Sequence, residues 1–244
     1  TVAFSEAASA LGANIKTGHD VKELSQQQDG SWQVISNQGE FKAKTLALAV
    51  GAWSKPVGDM LGIDIPITPI RGQMWATEPV PPSIFHLIGS MESAFDWSSQ
   101  PPSHGHPREI THHGDTRITR HLYGGQSRNG EIIFGGDRQS VGYDYSQNAE
   151  GIEVNRGQAS EVIPLVAKLP ISRTWSGMMP FSMDGKPIIG KVPGFKNLFI
   201  LTGLASSGFG RGPMAGKLLA DYIHTSYPAP VLAESDPARC ITFK

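Results

Sequence analysis

The chain has 244 residues and a formal net charge of −1, enough length for one large domain or two small ones around a substantial core. So balanced a charge gives no reason to expect a nucleic acid or an anionic membrane as partner, and no apolar run reaches the ~18 residues that cross a bilayer. A single cysteine, Cys240, excludes an intrachain disulfide framework and a cysteine metal site. The expectation is a soluble protein of a reducing compartment, cytoplasm or organelle matrix.

The opening "TVAFSEAASALGANI" reads as an amphipathic helix already under way, with Ala3, Ala7, Ala8 and Ala10 small enough for close packing on a sheet. From Asn14 the pattern turns to strands. "NIKTG", "DVKELSQQ", "SWQVIS" and "EFKAKTLALAV" are parted by turn signals at Asp29-Gly30 and Asn37-Gln38-Gly39. Alternation in "SWQVIS" points Trp32 and Val34 inward and Gln33 outward. "LALAV" has no polar face, which predicts a strand covered on both sides. It ends in Gly51-Ala52-Trp53-Ser54, beyond the carboxyl end of a strand, where ligands of α/β sheets sit. Trp53 and Trp175 are assigned to the core.

Between Pro56 and Leu169 proline-rich turns punctuate "GQMWAT", "REITHHG", "TRITRHLYGG" and "GEIIFGGD", short segments that predict an antiparallel sheet. Residues 148–169 predict its flanking helix, with Ile152, Val162 and Leu165 apolar and interruptions at Gly157 and Pro164. After Ile171 come "KPIIGKV", "NLFILTG" as a second fully buried strand, a glycine-rich loop and a last helix. Pro213 suits that helix's first turn, and Met214, Leu218 and Tyr222 fall on one face. The ends share a texture that the middle lacks. The fold class predicted is α/β (α+β overall): one α/β domain from residues 1–58 and 171–228, an inserted, mostly antiparallel domain over 59–170, and a tail over 229–244.

Three chemistries compete. His104, His106, His112, His113 and His121, with Asp115 or Glu109, have spacing that a zinc hydrolase uses. Pro101, Pro102, Gly105 and Pro107 make that stretch a loop with no buried strand to fix two ligands, so no metal is expected. Arg71, Arg120, Arg138, Arg173 and Arg211 are each able to clamp a carboxylate, and each has the plainer reading of a surface or ion-pair residue. Tyr123 either faces a cavity from the sheet or is a strand tyrosine with a wet hydroxyl. Asp184-Gly185 reads as a turn. In the third, Gly203, Gly208, Gly210 and Gly212 strip side chains from a loop that opens a helix, whose N-terminus offers N–H donors to an anion or an electron-rich ring.

The run from Trp175 to Ile223 contains a Trp-x-Gly turn, Pro180, Asp184-Gly185-x-Pro-x-Ile-Gly190, a buried strand and the glycine loop. It resembles the C-terminal segment of the FAD-dependent amine oxidoreductases, the superfamily of D-amino-acid oxidase, glycine oxidase and sarcosine oxidase. "LALAVGAWS", "ITPIRGQMWA" and "NGEIIFGGD" are similar to further segments of that family, so the likeness covers about residues 14–224. It implies non-covalent FAD, with Gly203, Ser206, Ser207, Gly208 and Phe209 against the flavin end, Gly51 and Trp53 beside the cofactor, and a backbone contact at Val21 on the adenine side. Its substrate side implies Arg71, Tyr123, Met179 and Arg211. No side chain stands out as a catalytic base.

The implied reaction is oxidation of an amine or amino-acid C–N bond to an imine. Members that oxidise small amino acids carry arginines where this chain has Met179 and Ser206, which argues against free glycine or a simple D-amino acid as substrate. The family's N-terminal strand with Gly-x-Gly-x-x-Gly and its ribose-binding acid are absent from the 244 residues. The expectation is therefore a fragment that alone binds FAD weakly or not at all, with a second chain as a candidate source of the missing segment. The alternative is a non-catalytic partner that keeps the substrate half of the fold and binds another chain.

Overall fold

The computed structural model describes residues 1–90, 112–113, 116–117 and 122–244. They form two units, Thr1–Leu46 with Gly194–Leu198, and Ala47–Pro193 with Phe199–Lys244.

The first unit holds helix α1 (Val2–Ala10) and an antiparallel meander of β1 (Val21–Gln26), β2 (Trp32–Ser36) and β3 (Gly39–Ala43). Both expected turns close hairpins, one with Gly30 at φ +85° and one where Ser36 pairs Gly39 across two residues. Trp32 is buried; its Nε1 donates to the Lys196 carbonyl at 3.0 Å and its ring lies 5.8 Å from that of Phe195. Residues 194–198 thus serve as the apolar cover of the meander. "NIKTG" forms no strand. Gly18 sits at φ +73°, outside extended geometry, and Ile15 is the stretch's one apolar side chain. Helix α1 forms as expected, yet none of its residues is buried and Phe4 is 66% exposed. Its small-residue face meets no sheet among the described residues.

The second unit contains, in chain order, β4 (Leu46–Leu48, starting one residue earlier, in the first unit), α2 (Ser54–Met60), β5 (Ile63–Asp64), β6 (Ile67–Thr77), β7 (Ile88–Gly89), β8 (His112–His113), β9 (Thr116–Arg117), β10 (Tyr123–Gln126) and β11 (Ile132–Gln139). There follow α3 (Ala149–Val162), β12 (Ile171–Ser182), β13 (Ile188–Lys191), β14 (Leu198–Thr202), α4 (Gly208–Thr225) and β15 (Thr242–Phe243). Its main sheet runs β12-β6-β11-β10-β7, with β8 and β9 attached. The long pair β12–β6 is antiparallel from Ile171↔Thr77 to Ser182↔Ile67, so β12 belongs to this sheet along its whole length.

Directly paired residues share a face of a sheet, and alternate residues take opposite faces. Trp75 on β6 pairs Phe134 on β11. Together with Ile132 they pack on Ile152 and Ala159 of α3 and on Val166. The buried Asn155 ties the layers: Trp75 Nε1 donates to its Oδ1 at 2.9 Å, and its Nδ2 donates to the Gly135 carbonyl at 3.1 Å. Asn148 caps α3 by accepting from the Gly151 N–H at 2.9 Å. The helix passes through Gly157, which is not the expected break, because it faces open space there. It stops before Pro164, which opens a 3-10 turn over Pro164–Lys168. Val162 and Leu165 are exposed, so the helix's core face is Ile152, Asn155 and Ala159 instead.

A smaller sheet orders β13-β14-β4. Strand β14 is buried as its composition predicts, whereas β4 has only three residues, with Leu48 buried and Ala47 exposed. The apolar "LALAV" is therefore not covered on both sides by the described residues. Helix α4 starts at Gly208 and Pro213 falls inside it rather than in its first turn. The preceding 3-10 turn over Ala205–Ser207 already supplies helical backbone. Its packed face is Ala215, Leu218, Leu219 and Tyr222 against Ile189 and Phe199. Met214 lies one position off that face and is exposed. Asp184-Gly185 is the turn expected, with Gly185 at φ +72° and the Lys186 N–H donating to Asp184 Oδ1 at 3.0 Å.

Candidate active site at the glycine loop

The face of the main sheet opposite α3 carries Ile70, Gly72 and Met74 of β6. Pairing adds Met179, Gly177 and Trp175 of β12, and Arg138, Gly135 and Tyr123 from β11 and β10. Arg138 is on this face because of a bulge. The β11–β6 register shifts between Gly135 and Asp137, and Gly136 stands at φ +124°. One inserted residue inverts the alternation, so Gly135 and Arg138 point the same way. Among the described residues, a side chain at Gly177 would meet nothing within 4 Å. The face is open there.

The glycine loop arrives at one end of this face. Ala205 packs with Met179 on the buried pair Ile70 and Phe181. Ala205 has φ +49° and Gly203 φ +74°; a Cβ on Gly203 would lie 3.3 Å from the Ile188 nitrogen, so both space and backbone call for glycine. Helix α4 then opens with no side-chain cap and no acidic residue in its first turn. The Ser207 N–H just before it donates to the Leu204 carbonyl at 3.0 Å, and no side chain takes the N–H groups that follow. Ser206 is exposed, Phe209 is 95% exposed, and Ser207 and Gly208 are half-buried. An N-terminus with no side-chain cap and no carboxylate in its first turn fits an anionic or electron-rich ring system such as reduced flavin.

The Gly51-Ala52-Trp53-Ser54 turn is joined to the same loop. The Thr202 hydroxyl donates to the Gly51 carbonyl at 3.1 Å, and the Ser54 hydroxyl lies 2.7 Å from that of Thr202. Thr202 is the residue before Gly203, and Ser54 and Thr202 are both buried. Gly51 itself sits at φ +54°. Trp53, expected in the core, is 45% exposed. It stacks on Tyr143 at 6.3 Å and Tyr145 at 6.1 Å between centroids, aromatic cover supplied by a loop instead of by an interior. The Tyr143 hydroxyl donates to the Ala52 carbonyl at 3.1 Å, and burial raises the pKa of both tyrosines.

That loop is held by Arg71. On β6, Arg71 shares the face of Trp75, away from Met179. Its guanidinium is buried, donating through Nη1 to Asp144 Oδ2 at 3.1 Å and to the Ser146 carbonyl, and through Nη2 to Gln139 Oε1. The Asp144 carboxyl is held below its ordinary range, first by the Ser146 hydroxyl and also by Arg71. Arg138, by contrast, lies on the loop's face, 4% exposed, with its guanidinium carbon 5.8 Å from the centroid of Phe181. Desolvation brings its pKa down to about 10.

Of the residues singled out in the sequence, the structure brings together Gly51, Trp53, Gly203, Ser206, Ser207, Gly208, Phe209 and Met179. Tyr123 lies on the same sheet face but two strands from β6, exposed. Arg211 is exposed on α4. Val21 belongs to the other unit. Trp175, also expected in the core, is half-buried under the guanidinium of Arg173 at 4.6 Å. His104, His106, Glu109, Asp115, Arg120 and His121 lie outside the described residues, and only the strand backbone of His112 and His113 is described. The Thr202–Ser54 tie and the Tyr143–Tyr145 cover carried no sequence signal, since each joins residues about ninety or more positions apart.

The FAD dependent oxidoreductase family model, DAO, matches residues 1–222. A glycine oxidase of Pseudomonas aeruginosa is 30% identical over 195 residues, covering 80% of this chain and 46% of that protein. Mitochondrial dimethylglycine dehydrogenase of Mus musculus is 27% identical over 98% of this chain and 27% of its own length. Among solved structures, L-proline dehydrogenase from P. horikoshii aligns with a TM-score of 0.79 at 26% identity, over 98% of this chain and 58% of that one. Glycine oxidase from Geobacillus kaustophilus gives a TM-score of 0.77 at 20% identity, which speaks for the fold. The chain thus spans less than half the length of the two curated relatives, 46% and 27%, and less than two thirds of the two solved chains, 58% and 57%.

Proposed function

Because this chain belongs to the DAO family of FAD-dependent oxidoreductases, we propose that it forms the substrate side and the flavin-facing loop of an enzyme that oxidises an amine C–N bond to the imine. The observation that carries this reading is the uncapped, glycine-rich start of α4 seated through Ala205 on Met179, at the end of an open sheet face. Residues 203–209 and the Gly51 turn would hold the flavin end of FAD, which would supply a two-electron acceptor for hydride from the amine carbon. The chain's own part is placement. Backbone donors of residues 206–209 favour negative charge, Gly203 lets the loop approach closely, and the Gly51 turn braces the loop through Thr202. None of these groups is a general base, so what they contribute is positioning.

Met179 and Ser206 offer no cation. A substrate carboxylate would need one from another strand. The test is anaerobic mixing of the flavin-loaded holoenzyme containing this chain with a panel of primary, secondary and tertiary amines. Loss of the oxidised flavin absorption with at least one amine supports the reading; an unreduced flavin with all of them, while dithionite bleaches it, contradicts it.

A second reading, a non-catalytic partner chain, is favoured by the bare apolar face of α1 and the exposed Ala47 of β4. A stoichiometric second chain that co-purifies without bound flavin would support it.

A further inference from the structure

We propose that Arg239 is a positioning residue for the glycine loop: through Asp184 and Lys186 it holds the backbone on which Gly203 rests, and so sets where residues 203–209 lie. This rests on the reading of that loop as the flavin-facing one. The geometry begins with how little room Gly203 has. A Cβ there would lie 3.3 Å from the Ile188 nitrogen, and 3.4 Å from both the Lys186 oxygen and the Pro187 Cα. The loop therefore lies directly on the backbone of residues 186–188. Thr202, one residue earlier, pairs with Ile188 across β13 and β14. A shift in that support moves the loop with it.

Arg239 grips this support at two points. Its Nε donates to Asp184 Oδ2 at 2.9 Å, and its Nη2 donates to Asp184 Oδ1 at 3.2 Å and to the Lys186 carbonyl at 3.0 Å. Such a fork fixes direction as well as distance, which a lysine would not. The Ser182 hydroxyl also donates to the Lys186 carbonyl, at 2.7 Å, but that bond lies within the turn, whereas Arg239 reaches it from the tail.

Arg239 is itself held. Its Nη1 donates to the Asp236 carbonyl at 3.2 Å, and Asp236 Oδ1 accepts from the Ala238 N–H at 2.9 Å. This short 3-10 turn, Pro237–Arg239, lies against β13 at Gly190, where a Cβ would stand 2.9 Å from Pro237 Cδ. Beyond it β15 pairs with β5, and the Lys244 N–H donates to the Gly62 carbonyl at 3.0 Å. The tail thus ties the Asp184 turn, which carries Gly203, to the segment that follows the Gly51 turn, which braces Thr202. The side chains of Arg239 and Asp184 are 21% and 45% exposed. A pair so open to solvent adds little to stability, so its weight is geometric.

The experiment records the visible circular dichroism of the bound flavin, and its rate of reduction by an amine, in the holoenzyme containing this chain. Arg239→Met should alter the dichroism and lower the limiting reduction rate by about 100-fold, the scale of a misplacement of about 1 Å. The half-saturating amine concentration should stay near wild type, because the displaced loop belongs to the electron acceptor's side. Arg239→Lys, with charge but no fork, should fall between the two. Glu234→Gln removes the tail's other ion pair with the turn, an exposed one to Lys186 at 3.1 Å, and should match wild type in both readouts. Arg239→Met that melts lower yet keeps wild-type dichroism and rate overturns the proposal, since Arg239 would then only stabilise the fold. So does a Glu234→Gln change as large as that of Arg239→Met. Should Arg239→Met fail to fold, Asp184→Asn decides by the same readouts: it keeps an acceptor for the Lys186 N–H and loses the charge. The dichroism needs no turnover, so a failure here is distinct from a flavin that no amine reduces.

Discussion

Two buried arginines on opposite faces of one sheet show how burial alone misleads. Arg71 and Arg138 are 3% and 4% exposed, and sequence treats them alike. Arg71 faces the α3 side, where Asp144, Ser146 and Gln139 meet its guanidinium and fix the loop that covers Trp53. Arg138 faces an aromatic ring beside the glycine loop. The first side is built to hold the sheet together. The second meets the glycine loop through Met179 and Ala205, at a helix N-terminus without a side-chain cap.

The contrast can be broken most severely on the α3 side. Trp75→Ala should cost about 3–5 kcal/mol, the range for emptying a buried aromatic site. It also leaves the Asn155 Oδ1 without its indole donor. Urea denaturation measures it, and a loss below roughly 1 kcal/mol would show that this face is not the core. Arg71→Met comes next, at about 1–3 kcal/mol, because the Ser146 carbonyl and Gln139 lose buried donors. The same variant should change the tryptophan emission spectrum as the Tyr143–Tyr145 cover loosens from Trp53.

On the other face the stability effect should nearly vanish. Gly177→Ala places its methyl where no described residue lies within 4 Å, so melting should stay within roughly 0.5 kcal/mol of wild type, while flavin reduction by the holoenzyme's amine substrate slows. An unaltered rate would mean that this face is not the site. The smallest effect concerns pH. The Asp144 carboxyl has its folded pKa depressed below the ordinary 3.8, so its contribution is present at neutral pH and lost as pH falls through and below that value. Acid titration of Trp53 emission should show this step in wild type and lack it in Asp144→Asn.

Sequence carried the local devices well and the long-range ones poorly. The Asp29-Gly30 and Asn37-Gln38-Gly39 turns, the buried β14 and the loop before α4 were legible because each is set by residues adjacent in the chain. The start of α4 was displaced because Pro213 tolerates a helix interior once Ala205–Ser207 has already turned helically. Trp53 was misplaced because its cover comes from Tyr143 and Tyr145, far away in sequence. The face of Arg138 hinges on one inserted residue at Gly136. A bulge leaves the apolar pattern of "GEIIFGGD" unchanged up to that glycine, so strand periodicity gave no warning of the inversion.

The central claim is that the ligand face of this sheet is the one opposite α3, met by the glycine loop. Hydrogen–deuterium exchange on the holoenzyme containing this chain, with FAD bound and with FAD removed, tests that assignment. Bound FAD should slow exchange at the amides of residues 205–209, where α4 begins without a side-chain cap, and leave exchange across Ala149–Val162 unchanged. Protection confined to α3 and the 143–148 loop, with residues 205–209 exchanging at the same rate in both states, would contradict it.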